Sequence, residues 1–178
     1  MKEDLGFSRE YTTYFDVAGP HNTDKTLDLA ADWAQAQDLT AIVVASTSGS
    51  TACRLAERLP ESFHSRIIIA RQKWGDSIPQ IPEGLGKLEE VSKTYWIPPR
   101  YLANATHPLV PATLRELSHG IKVSFECAYF LVANSFLSPL RNLLCVAGTR
   151  QGADSAVELF VNRDSTLKLQ SLLCLPKK

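Results

Sequence analysis

Apolar residues in this chain come in two kinds of run, and their alternation sets the expected architecture. Residues 41–45 (AIVVA) and 66–70 (RIIIA) are short, β-branched and without a polar side, as strands covered on both faces must be. Between them Ala52, Leu55, Ala56 and Leu59 recur at the i, i+3, i+4, i+7 spacing of an amphipathic helix, which Pro60 stops. Upstream, residues 13–17 (TYFDV) form a short apolar stretch closed by the turn signal Gly19-Pro20. Asn22 and Thr23 then offer N-caps, Asp24 sits where the helix dipole favours an anion, and Leu27, Ala30, Ala31 and Ala34 predict a helix ending near Gln37. Strand, helix, strand, helix, strand is the order of a right-handed parallel α/β unit.

The pattern loosens over residues 72–108, where Pro79, Pro82, Pro98, Pro99 and Pro108, with Gly75, Gly84 and Gly86, exclude a long helix. Residues 91–97 (VSKTYWI) still suit one short strand. A helix is expected from Pro111 to His119, with Gly120 as its C-cap. Residues 121–137 alternate at period two as far as Tyr129, but their length decides for a helix. Residues 142–148 (NLLCVAG) read as another buried strand, and 155–161 (SAVELFV) and 169–175 (LQSLLCL) as two more. The polar turn at 162–165 leaves no room for a crossover helix, so those two strands pair antiparallel or lie apart. The expectation is one domain over residues 1–178, a Rossmann-like three-layer α/β/α fold. Its mixed sheet should hold about five strands, the last antiparallel.

Composition narrows the classes of partner. A chain of 178 residues that is 44% hydrophobic and 21% charged can bury a real core. Nineteen basic and nineteen acidic side chains cancel, without a block of like charge, so neither nucleic acid nor an anionic membrane is an expected partner. The longest apolar segment, 123–137, is too short to span a bilayer and carries Glu126. The opening MKEDLGFSRE lacks the apolar core of a secretory signal, which leads to the expectation of a cytoplasmic protein. Cys53, Cys127, Cys145 and Cys174 show no C-x-x-C and no histidine at ligand spacing, so they read as small core residues rather than metal ligands.

Open α/β sheets bind ligands beyond the carboxyl ends of their strands, and two loops fit that position. The first is Ser46-Thr47-Ser48-Gly49-Ser50-Thr51, five hydroxyls and a glycine between a predicted strand and helix. Its hydroxyls and free backbone N–H groups suit a phosphate, although the same turn would serve as a plain N-cap. The second is Gly148-Thr149-Arg150-Gln151-Gly152-Ala153, where Arg150 offers a fork that matches phosphate. Enzyme motifs are scarce: there is no G-x-x-x-x-G-K-[ST], no G-x-G-x-x-G and no G-x-S-x-G. The S-x-x-K at Ser165 to Lys168 lacks companion motifs, and His21, His64, His107 and His119 are scattered. Glu126 is either a buried functional carboxylate or the partner of Lys122 four residues earlier.

Taken together, AIVVASTSGSTACRLAERLP followed by RIIIA, and LLCVAGTRQGADSAVEL near the C-terminus, resemble the C-terminal α/β domain of pyruvate kinase. YFDVAGPHNTDKTLDLA and LSHGIKVSFECA look closer still to stand-alone prokaryotic proteins that carry only this domain. The resemblance covers residues 14–70 and 109–176. It implies a regulatory domain without the catalytic barrel, hence no pyruvate kinase activity and no catalytic residues of that kind. In that family a T-K-S-G-R-S-like turn holds one phosphate of a sugar bisphosphate. Ser46 to Thr51 fall on that turn, with Ser48 and Gly49 identical in type, while Thr47 and Ser50 replace its basic residues. A singly phosphorylated ligand is therefore implied. For the stand-alone group the candidate cofactor is flavin mononucleotide (FMN), its phosphate at the first loop and its ring near the second. Residues 72–108 depart from those relatives, being shorter, Pro-rich and without their glycine-rich loop. The expected function is binding of a phosphorylated small molecule or FMN for regulation or sensing. Alternatives are a flavin-dependent or phosphatase-like enzyme using Glu126 or His107 as acid/base, and a homo-oligomeric scaffold with an empty pocket.

Overall fold

The computed structural model describes residues 11–72, 80–149 and 151–177. The apolar runs become seven strands: β1 (Thr13–Phe15), β2 (Ile42–Ala45), β3 (Ile67–Arg71), β4 (Lys93–Trp96), β5 (Arg141–Ala147), β6 (Ser155–Val161) and β7 (Leu167–Pro176). Between them lie α1 (Thr23–Ala36), α2 (Ser50–Ala56), α3 (Leu85–Val91), α4 (Tyr101–Ala105), α5 (Leu109–Leu117) and α6 (His119–Ala133). Short 3-10 turns occupy Pro20–Asn22 and Glu61–Arg66.

All seven strands form one sheet in the order β1-β7-β6-β5-β2-β3-β4. Every pairing is parallel except β5 with β6 and β6 with β7. The α/β class stands, but the sheet has seven strands instead of five. The short β1 joins as an edge strand and β4 adds the opposite edge. The two consecutive C-terminal strands do pair antiparallel, yet the reversed strand is β6, because β7 then runs parallel to β1.

Strict alternation of side chains divides the core in two. On one face Ile42, Val44, Ile67 and Ile69 meet Leu27 of α1, Leu55 of α2 and Leu85 of α3. On the other, Val43, Ile68, Cys145 and Leu159 meet Ile121 and Leu131 of α6. That is why β2 and residues 67–70 of β3 carry no polar position: each has a helical layer on both sides, and every fully buried Ile or Leu contributes about 1.5–3 kcal/mol. Asp24 of α1 bonds Arg54 and Arg58 of α2, but the carboxylate is exposed and such pairs add little. Among the described residues no helix is long and apolar enough to cross a membrane.

Two helix boundaries differ from expectation. Gly120 is the second residue of α6 and caps nothing; the break falls at Ser118, whose hydroxyl accepts the Ile121 N–H at 2.9 Å. Glycine is needed there because a Cβ would run into Ser155 and Asp154. Asn22 and Thr23 do not cap α1 with their side chains, because the preceding 3-10 turn already has helical backbone. Asn22 Nδ2 bonds Val17 O at 2.7 Å, and Thr23 Oγ1 donates to Pro20 O at 2.6 Å.

Candidate functional site

The chain leaves β2 toward β3 and β4 on one side, then returns through α4, α5 and α6 to place β5 on the other. The crevice between β2 and β5 is thus the switch point where such sheets bind ligands. Parallel register sets Val44 against Val146, so Ser46 and Gly148 emerge from adjacent strands at the same end. Both loops singled out in the sequence come together here.

The first loop is tightly built. Ser46 is buried and its Oγ accepts the Thr51 N–H at 3.1 Å, so Ser46 is the internal cap of α2. Gly49 N–H donates to Ser46 O at 3.3 Å, and Ser50 N–H reaches Ser48 Oγ at 3.3 Å on the exposed side. Gly49 has φ +90°, and a Cβ on it would stand 2.5 Å from Leu85 of α3. Its freedom therefore serves the turn and the packing of α3. Since α2 has only seven residues, its dipole gives an anion little help. The hydroxyl-bearing residues Thr47 and Ser48 are half-buried and Ser50 is exposed, whereas Thr51 is buried.

A cation does stand beside this loop, outside the turn motif itself. Arg71, the last residue of β3, is 9% exposed; its Nε donates to Thr47 O at 3.0 Å. Its Nη1 is 3.4 Å from Glu89 Oε1, and its guanidinium lies 4.7 Å from the Trp96 ring centre. Its signal in the sequence was positional: a charge directly after a buried strand, at the carboxyl end.

The second loop is held from within by a carboxylate. Asp154, with no exposed surface, accepts the N–H groups of Gly19 at 3.0 Å and Thr149 at 3.2 Å, and Ser155 Oγ donates to its other oxygen at 3.0 Å. Ala153 N–H donates to Thr23 Oγ1 at 3.0 Å. Gly152 has φ +75° and packs against Thr23, and Gly148 packs against Gly152 and Ala153. Asn22 and Thr23 thus belong to the crevice as clamps on this loop. Arg150 lies outside the described residues. In the sequence, Asp154 falls between the candidate loop, which ends at Ala153, and the predicted strand from Ser155, and nothing local marks it as a clamp.

The acid/base candidates lie elsewhere. Glu126 is 2% exposed, bonded to Lys122 through Oε2 and to the Leu102 N–H through Oε1 at 3.1 Å. His107 is exposed ahead of α5, with Nδ1 accepting the Leu109 N–H at 3.3 Å. Burial, then the charges of Lys122 and Arg115, pull His119 below its ordinary 6.5. Cys127, Cys145 and Cys174 are buried free thiols and Cys53 is half-buried. Among the described residues no group of three or more His, Cys, Asp or Glu could hold a metal. A groove of about 490 Å³ beside α3 includes Cys53 and Glu83, and one of about 520 Å³ includes Phe125 and Ser165. Among the described residues, none of 46–51 or 148–153 lines either groove. No known protein-family model matches the chain.

Proposed function

We propose that the protein binds a phosphorylated small molecule in the crevice between β2 and β5, for regulation or sensing, in keeping with the resemblance to the pyruvate kinase C-terminal domain. The observation that carries the reading is the register of β2 on β5, which brings the hydroxyl-rich turn and the glycine-rich turn side by side at a switch point. The phosphate would sit at the tip of the first loop. The Ser48 to Ser50 contact there is long and exposed, so a phosphate oxygen can replace it, whereas the shorter, buried Ser46 to Thr51 contact stays. Hydroxyls of Thr47, Ser48 and Ser50 would complete the grip, which favours one phosphate over two.

FMN fits this loop at its phosphate end. Its ring finds no aromatic partner in the 148–154 loop, which contains none. The enzymatic alternative gains no support from Glu126, since both its oxygens are engaged.

Calorimetric titration with inorganic phosphate, fructose 1,6-bisphosphate and FMN tests the reading. A Ser48→Asp variant is the control of choice, because Gly49 has no room for a side chain. Binding of a phosphorylated compound that weakens at least about tenfold in Ser48→Asp is expected. Affinity indifferent to that carboxylate, or no binding at all, refutes it.

A further inference from the structure

From Arg71 and Trp96 we infer the class of ligand: a nucleoside monophosphate, its phosphate met by the Arg71 guanidinium and its base stacked on Trp96. The inference rests on the phosphate reading above and deepens it. Tyr95 of β4 stacks on Phe136 at 4.3 Å on the α6 side of the sheet. By alternation Thr94 and Trp96 take the other face, where Thr94 Oγ1 donates to Glu89 of α3 at 3.0 Å. That is also the face on which the first loop enters α2.

Arg71 bridges the two halves. It touches the loop through Thr47 O and lies under the Trp96 ring, and its remaining contact, with Glu89 at 3.4 Å, is too long for a strong charge-assisted bond. Among the described residues no hydrogen bond engages Nη2. A nine-tenths-buried guanidinium with donors to spare is matched by a phosphate, for which Glu89 is the internal stand-in. Trp96 is 55% exposed at the carboxyl edge, and no aromatic ring among the described residues stacks on it. One of its faces is backed by the cation; among the described residues no ring covers the other, which a planar base would stack on. β4 lies two strands from β2, about 9.5 Å, a span that an extended mononucleotide bridges.

The test compares adenosine 5′-monophosphate with ribose 5-phosphate by calorimetry, on the full chain and on four variants. The nucleotide should bind about tenfold more tightly or better, a preference of the size that one base stacked on one aromatic provides. Trp96→Leu, an exposed change that spares the core, should abolish this preference, so that the two compounds bind alike. Arg71→Gln should weaken both ligands and Glu89→Gln should tighten both, each severalfold. A preference that is absent, or that survives Trp96→Leu, overturns the inference. If ribose 5-phosphate then still binds and is lost in Ser48→Asp, the phosphate site stands without it. If neither compound binds, this inference falls, and the phosphate reading is decided by the titrations with inorganic phosphate, fructose 1,6-bisphosphate and FMN.

Discussion

Asp154 accepts the backbone N–H of Gly19 at 3.0 Å across 135 positions of sequence, and this bond fastens the β5–β6 loop to the entrance of α1. Removing the carboxylate in Asp154→Ala would orphan buried donors, so a loss of about 3 kcal/mol or more is expected in urea denaturation. Asp154→Asn should cost only about 1–2 kcal/mol, because the Ser155 hydroxyl can turn to accept from the amide. Equal losses in the two variants would contradict the role given to this side chain.

Two glycines should respond to alanine with opposite signs. Gly152 has φ +75° and its Cβ would collide with Thr23, so Gly152→Ala should destabilise by more than the 1–2 kcal/mol of a left-handed residue. Gly86 is the second residue of α3, with nothing within 4 Å of a Cβ there, and Gly86→Ala should stabilise by about 0.4–1 kcal/mol by restricting the unfolded chain. Thermal midpoints check both, and shifts of the same sign would count against the packing described.

Alkaline pH should unfold the protein through its thiols. Burial raises Cys174 to about 11 and Cys127 to about 12 from 9.0, and pushes Cys145 well above it. In the unfolded chain these thiols ionise near the ordinary value while the folded protein keeps them neutral. Their stabilisation is complete below pH 9 and lost as pH rises toward the folded values, at about 1.4 kcal/mol per pH unit for each thiol. A Cys127→Ala variant should show a shallower decline of denaturation free energy between pH 9 and pH 11. An unchanged slope would place the titration elsewhere.

Breaking the Lys122–Glu126 pair from its cationic side should be the more damaging route. Lys122→Met leaves a buried carboxylate uncompensated, for a loss of about 3–5 kcal/mol. Glu126→Gln keeps an acceptor for the Leu102 N–H and should lose less. Chemical denaturation of the two variants ranks them; the reverse order would argue that Glu126 does more than hold α4 against α6.

How much of this was readable depended on what each residue answers to. β2 and residues 67–70 of β3 were plain because a strand between two layers favours apolar, β-branched residues, and β6 was legible from its apolar run although it also buries Glu158. β1 was harder to count, since its edge position leaves Tyr14 exposed and weakens the pattern. Gly120 was misread because a glycine after a helical run signals a C-cap, whereas here it answers to Ser155, which lies far away in sequence. Ser46 to Thr51 did mark a loop at the switch point, but whether a hydroxyl faces a ligand or its own backbone is not written in the residue type. Ser46 faces its own backbone. Arg71 and Asp154 escaped notice because long-range contacts define them, and no local motif encodes those.

The pairing of β1 with β7 has a bearing on synthesis. Thr12 Oγ1 donates to Leu172 O, its partner 160 positions later, and β1 touches the sheet only along that last strand. On the ribosome, β2, β3 and β4 can assemble as they emerge, while β1 waits without a lateral partner until β7 has left the exit tunnel. Among the described strands, β1 is therefore made before β2, β3 and β4 but seated after them, and closing so long a loop should set a slow step of refolding.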